Sequence, residues 1–164
     1  MNILYLHGLE SKLSPQKRKI LEKYGEVYAP DIDYHNNPNA IESIIEELSD
    51  QEINVVLGSS IGGFAGYYVS AHLFSPALLF NPALSNRSVP QHVPAGDFGR
   101  WNMIQIALGM EDDVVPVGET LKFISDSIPY KNKIHLNLYP RTGHRIDLEV
   151  FEKEVESFFG KLCY

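Results

Sequence analysis

The stretch Ile53-Asn54-Val55-Val56-Leu57-Gly58-Ser59-Ser60-Ile61-Gly62-Gly63-Phe64-Ala65-Gly66-Tyr67-Tyr68-Val69 decides how the chain is read. A largely apolar run leads into a glycine-flanked serine pair, and an apolar, glycine-containing segment follows. The pattern is strand, sharp turn, helix, with Ser60 at the tip. Gly58 and Gly62 give the Gly-x-Ser-x-Gly spacing of a turn that holds a nucleophile clear of its neighbours. A serine on so tight a turn is crowded, and a Cβ at either flanking position clashes. Its hydroxyl then stands at a helix N-terminus, where orphan N–H groups stabilise developing negative charge. A phosphate-cradling role for Gly58 to Gly63 fails for want of the Lys-Ser/Thr pair that such a loop needs.

Outward from this turn, short apolar runs alternate with helical patterns in both directions. Strands are expected at 3–6, 26–29, 53–57, 77–80, 103–108 and 134–139. A helix is expected from Pro15 to Tyr24, with Ser14 as its cap, and another capped by Asn37 with Pro38 in its first turn. In the latter, Ile41, Ile44, Ile45 and Leu48 share one face. Further helices follow over 117–127 and 146–162. This is the pattern of an α/β fold, a parallel sheet of about six strands with helices on both faces, in one domain over residues 1–164. The one long irregular stretch, Leu84 to Asn102, is of a length that is usually functional or disordered, and too short for a large cap domain.

Composition narrows the partners. A formal charge of −7 over 164 residues argues against nucleic acid, which requires a basic face. Lys17, Arg18, Lys19 and Lys23 cluster on one short helix and read as a solvated face. No run approaches membrane-spanning length, and no basic leader or cleavage pattern precedes the first strand, so a cytoplasmic location is expected. The sequon at Asn86 is then a chance match. Cys163 is the one cysteine, which excludes disulfide frameworks and cysteine metal sites. No metal or cofactor is expected: His72, His92 and His135 lack partners at ligand spacing. Asp31-Ile32-Asp33 with Glu42 only imitates a calcium loop, since Asn36 replaces its glycine and Pro38 interrupts it. Asp31, Asp33, Tyr34 and His35 do follow a strand at the edge where ligands bind in such sheets.

A serine hydroxyl is a poor nucleophile until a base takes its proton, and the base needs a carboxylate to orient it. Both follow Ser60 in the chain, each after a different expected strand. Gly109-Met110-Glu111-Asp112-Asp113-Val114-Val115-Pro116 supplies three carboxylates, and Pro140-Arg141-Thr142-Gly143-His144-Arg145 supplies the histidine. Asp112 is favoured as the acid, with Asp113 and Glu111 as alternatives. His7 reads as a structural hydrogen-bonder, because His144 occupies the position of the base.

Leu4-Tyr5-Leu6-His7-Gly8-Leu9, the Gly58-to-Gly63 turn and Phe80-Asn81-Pro82-Ala83 together resemble the YqiA-type small bacterial esterases of the α/β-hydrolase superfamily. The resemblance runs from the first strand to the Gly143-His144 turn. It implies a minimal α/β-hydrolase that hydrolyses carboxylic esters or thioesters of small molecules by Ser60, Asp112 and His144. In that superfamily the triad order is Ser, Asp or Glu, then His, and the oxyanion hole joins two backbone N–H groups, here those of Ile61 and Leu9. The turn from Gly109 through Asp112 to Val115-Pro116 also resembles the superfamily's acid turn. The rival expectation is a non-catalytic interaction protein that keeps the scaffold, since fold alone does not prove activity.

Overall fold

Strands buried on both faces carry apolar side chains at successive positions rather than alternate ones, and four of the six strands are of this kind. The computed structural model describes residues 1–95, 102–127 and 133–162. In it β1 (Asn2–Leu6), β3 (Val55–Ser59), β4 (Ala77–Phe80) and β5 (Ile104–Gly109) are buried almost throughout. The less apolar β2 (Glu26–Tyr28) and β6 (Ile134–Tyr139) take the two edges of a six-stranded sheet of order β2-β1-β3-β4-β5-β6. Every neighbouring pair is parallel. Six parallel strands agree with the expectation.

Five helices cover the sheet. Leu4, Leu6, Val56, Leu79 and Ile106 point to the face covered by α2 (Ala40–Glu47) and α3 (Ile61–His72), where α4 (Val117–Ser127) also packs. Ile3, Tyr5, Val55, Leu57 and Leu78 point to the other face, covered by α1 (Pro15–Leu21) and α5 (Leu148–Leu162). Phe151, Phe158 and Val155 of α5 are almost wholly buried there, each burial contributing about 1.5–3 kcal/mol.

The strand order fixes where a ligand can bind. From β1 the chain crosses outward to β2, then returns to place β3 on the opposite side of β1. The loops leaving β1 and β3 therefore diverge at their carboxyl ends, and the crevice between them is the switch point of an open α/β sheet. The turn at Ser60 and the loop at Gly8 sit at this crevice.

Some boundaries differ from expectation, each for a tertiary reason. The second helix starts at Ala40, with Asn39 as its cap, rather than after Asn37. The Pro38 carbonyl accepts from the His92 N–H at 2.7 Å, and the Asn37 carbonyl accepts both from the Gln91 amide at 3.1 Å and from the Ala40 N–H at 3.3 Å, so long-range bonds hold the segment ahead of Ala40. The last helix starts at Leu148 because Asp147 caps it, accepting from the Val150 N–H at 2.8 Å. The third strand is shifted to 55–59, and Asn54 instead bonds Asn2. The first helix ends at Leu21 rather than Tyr24. The basic residues on it and just after it are more than a solvated face: Lys17 donates to the Ile146 carbonyl, Arg18 to that of Val27, and Lys23 pairs with Glu152. Burial lowers the Lys17 pKa from its ordinary value, against the nearby Asp147. Cys163 and part of the 84–102 stretch lie outside the described residues.

The close approach of α3 to β1 is a tight constraint at the heart of the fold. A Cβ on Gly62 would stand 2.2 Å from the carbonyl oxygens of both Leu6 and His7. Gly62→Ala is expected to abolish soluble folded protein or lower the melting temperature by more than ten degrees or so, the scale of a loss of several kcal/mol. Gly160→Ala, where a Cβ meets nothing within 4 Å in α5, is expected to raise stability by roughly 0.5–1 kcal/mol. Denaturant unfolding of the two variants checks both.

Candidate active site

Ser60 sits between β3 and α3 with φ 56° and ψ −121°, a left-handed backbone that costs a non-glycine residue on the order of 1–3 kcal/mol. Surrounding contacts enforce it. The Ser60 N–H donates to the Phe80 carbonyl at 3.0 Å, and its own carbonyl accepts from the Ala83 N–H at 3.0 Å. Gly58 is required because a Cβ there would lie 2.2 Å from the Gly62 carbonyl oxygen. The neighbouring Ser59 hydroxyl is bonded to the phenol of Tyr5, whose pKa burial pushes up to about 12. Of the two serines, it is Ser60 that hydrogen-bonds His144.

His144 and Asp112 arrive from the loops after β6 and β5. His144 Nε2 lies 3.0 Å from Ser60 Oγ, and Nδ1 lies 3.0 and 2.9 Å from the two carboxylate oxygens of Asp112. An ionised carboxylate only accepts, so Nδ1 carries the proton and Nε2 is left to accept from the Ser60 hydroxyl. The Asp112 side chain is 1% exposed and that of His144 21%. Asp112 is held by two further bonds, its Oδ1 accepting from the Val114 and Val115 N–H groups at 2.9 and 2.8 Å. Glu111 and Asp113 are exposed. Ser60, His144 and Asp112 are thus brought together, and the two alternative carboxylates are not.

Gly8 packs beside the serine: a Cβ there would stand 3.3 Å from Ser60 Cβ and 3.4 Å from the Ser59 carbonyl oxygen. Leu9, the next residue, therefore leaves β1 alongside Ser60. Ile61 is the first residue of α3, and its N–H has no intrahelical acceptor. His7 has the structural role expected. Its Nδ1 lies 2.7 Å from the Gly8 carbonyl oxygen, and its Nε2 accepts from the Ile32 N–H at 2.8 Å. The imidazole ties the β1 loop to the segment after β2.

One open cleft takes in His7 and Leu9, and a second lies further along α3. Leu9, Asp31, Asp33, Tyr34 and His35 are among those lining the first, of about 300 Å³, which places that acidic segment beside the β1 loop. Asp31 pairs with Lys12, which holds its carboxyl below the usual range, and Asp33 accepts from Asn36. The second, of about 510 Å³, is lined by Phe64, Tyr68, Leu84, Arg87, Val93 and Phe123 among others, and so takes in part of the long irregular stretch.

The model of the UPF0227 family, described as an uncharacterised protein family, matches residues 2–103. The chain belongs to that family. It is the family of the YqiA-type esterases, and its match takes in Leu9, Ser60 and Ile61 but stops short of Asp112 and His144. Among solved structures, Est1E from Butyrivibrio proteoclasticus with ferulic acid bound superposes with a TM-score of 0.72 at 16% identity, covering 99% of this chain and 90% of that one. SOBER1 from Arabidopsis thaliana gives 0.68 at 16%, covering 100% and 99%. Mouse alpha/beta hydrolase domain-containing protein 10 gives 0.70 at 12%, covering 98% and 90%. The fold is that of the α/β-hydrolases, with no large cap among the described residues.

Sequence reasoning used Phe80-Asn81-Pro82-Ala83 only as a mark of resemblance. In the structure Asn81 is 1% exposed, has φ 41°, and bonds both the acid turn and the histidine loop. A polar, turn-forming residue directly after a fully apolar strand was the available signal. The geometry predicts a downfield proton resonance for His144 Nδ1–H that is lost in Asp112→Asn and retained in Asp113→Asn. One-dimensional proton spectra of the three proteins check it.

Proposed function

We propose that the protein is a serine hydrolase that cleaves carboxylic esters or thioesters of small molecules through an acyl-enzyme, in one domain spanning residues 1–164. The observation that carries this reading is the unbroken relay from Ser60 Oγ through His144 to Asp112, with both links at 3.0 Å or less. Membership of a family of esterases and the α/β-hydrolase fold support it.

The Ser60 oxygen attacks the acyl carbonyl carbon as its proton passes to His144 Nε2. The carbonyl oxygen becomes an oxyanion held by the N–H groups of Leu9 and Ile61, donors of a kind worth about 10²–10³ in rate each. Collapse breaks the bond to the alcohol or thiol, which leaves with the proton from His144. Water then gives a proton to His144 and attacks the acyl carbon. The acid departs and Ser60 recovers its proton. Asp112 keeps the Nδ1–H tautomer and stabilises the imidazolium. The cleft lined by His7 and Leu9 suits part of the substrate. The nucleophile and base come from the chain itself, so the mechanism calls for no metal. Cys163 as the one cysteine suits the reducing cytoplasm.

Turnover of a panel of p-nitrophenyl and acyl-CoA esters of graded chain length, with fluorophosphonate labelling, tests the reading. Ser60→Ala is expected to lose both signals, His144→Ala to lower turnover by several orders of magnitude to a measurable residue, and Ser59→Ala to keep most of both. Asp112→Asn is expected to lower turnover by about 10⁴, the scale of a neutralised triad carboxylate, and Asp113→Asn only slightly. Activity should persist in EDTA, because the nucleophile and base are side chains. Folded protein that neither labels nor turns over any ester would favour the non-catalytic scaffold.

A further inference from the structure

His144 follows β6, whereas Ser60 follows β3, three strands away in the sheet. At roughly 4.8 Å per strand the two strand ends are about 14 Å apart, so the loop after β6 must reach back across the ends of β5 and β4. Proximity alone does not hold a loop to hydrogen-bonding accuracy. A displacement of about 1 Å can cost about 10² in rate.

Asn81 stands on that path, at the end of β4. Its Oδ1 accepts from the Gly109 N–H at 2.7 Å, at the start of the acid turn. Its Nδ2 donates to the Gly143 and His144 carbonyl oxygens at 3.0 and 2.9 Å. Its backbone N–H donates to the Ala107 carbonyl at 2.9 Å. One buried carboxamide thus satisfies the backbone on both sides of the pair it lies beneath. The left-handed φ of 41° is one that asparagine tolerates better than most residues. The next residues return to the nucleophile, since the Ala83 N–H donates to the Ser60 carbonyl.

We propose that Asn81 is the positioning residue of this site, setting the reach of His144 and its register with Asp112. The proposal rests on the Ser60–His144–Asp112 reading. Asn81 touches no reacting atom; it acts through the backbone of His144. Aspartate is the discriminating replacement. It keeps the volume, the tolerance of positive φ and the acceptor for Gly109, but turns an acceptor toward two carbonyl oxygens. Glycine removes the side chain and keeps the backbone conformation.

The test measures ester turnover of Asn81→Asp and Asn81→Gly, alone and in the His144→Ala background, with folded protein counted by circular dichroism and denaturant unfolding. The expected result is a kcat per folded molecule lowered by about 10–100-fold with KM changed by less than about twofold. The His144 Nδ1–H resonance should shift or broaden in both. In the His144→Ala background the same substitutions should cost nothing further, because their effect runs through that residue. Folded variants with kcat near the parent's would overturn the proposal, as would an equal loss in both backgrounds. Failure of both variants to fold would also overturn it, making Asn81 a folding brace. If Ser60→Ala and His144→Ala kept turnover near the parent's, the triad reading itself would fail.

Discussion

The contact on which the other features of this protein depend is a backbone-to-backbone one, between the start of α3 and the end of β1. Gly62 lies so close to the Leu6 and His7 carbonyls that no side chain fits, and Gly58 lies equally close to the Gly62 carbonyl. These two approaches seat the helix on the sheet and force Ser60 into a left-handed conformation between them. The strain at one residue is offset by the burial of a helix whose residues are almost all inaccessible. The same geometry presents the serine hydroxyl and the first helical N–H groups to one point in the crevice between β1 and β3.

The second constraint is reach. An open sheet that adds β4, β5 and β6 in succession carries the histidine loop steadily away from the nucleophile. The return is made by backbone hydrogen bonds rather than by apolar packing. Met110 and Glu111 donate to the Tyr139 and Thr142 carbonyls, joining the acid turn to the histidine loop. Asn81 ties both to β4. At the far edge, the buried Glu154 of α5 accepts from Gln105 and Asn137 and from the Tyr139 hydroxyl. Tyr139 ends the strand that launches the His144 loop, and burial, with Glu154 beside it, drives its phenol pKa well above the ordinary range.

What could be read from the sequence was what short-range physics writes into it. The glycines around Ser60 are a steric requirement over five residues, so the nucleophile was legible. The apolar runs were legible as strands because strands buried on both faces leave no polar alternation. Asp112 was singled out among three adjacent carboxylates by its spacing from Gly109 and from Val115-Pro116, which resembles the acid turn of the superfamily. The remainder was invisible for a common reason. Asn37 looked like a helix cap, but the segment around it is also held by His92 and Gln91, more than fifty residues on, and the helix starts at Ala40. Asn81 looked like one turn residue among many, because its three side-chain bonds go to residues 28 to 63 positions away. The basic residues of α1 looked solvated because their acceptors lie on β2 and on and just ahead of α5. Local patterns place the elements and the nucleophile; long-range hydrogen bonds set the boundaries and align the site.

The central claim is that Ser60 carries the acyl group between two half-reactions. Intact-mass analysis after brief exposure to p-nitrophenyl acetate and an acid quench, followed by peptide mapping, tests it most directly. The account predicts a gain of one acetyl group per molecule, located on the peptide containing Ser60 and absent in Ser60→Ala. Turnover without a covalent adduct, or an adduct on another residue that is required for turnover, would contradict it.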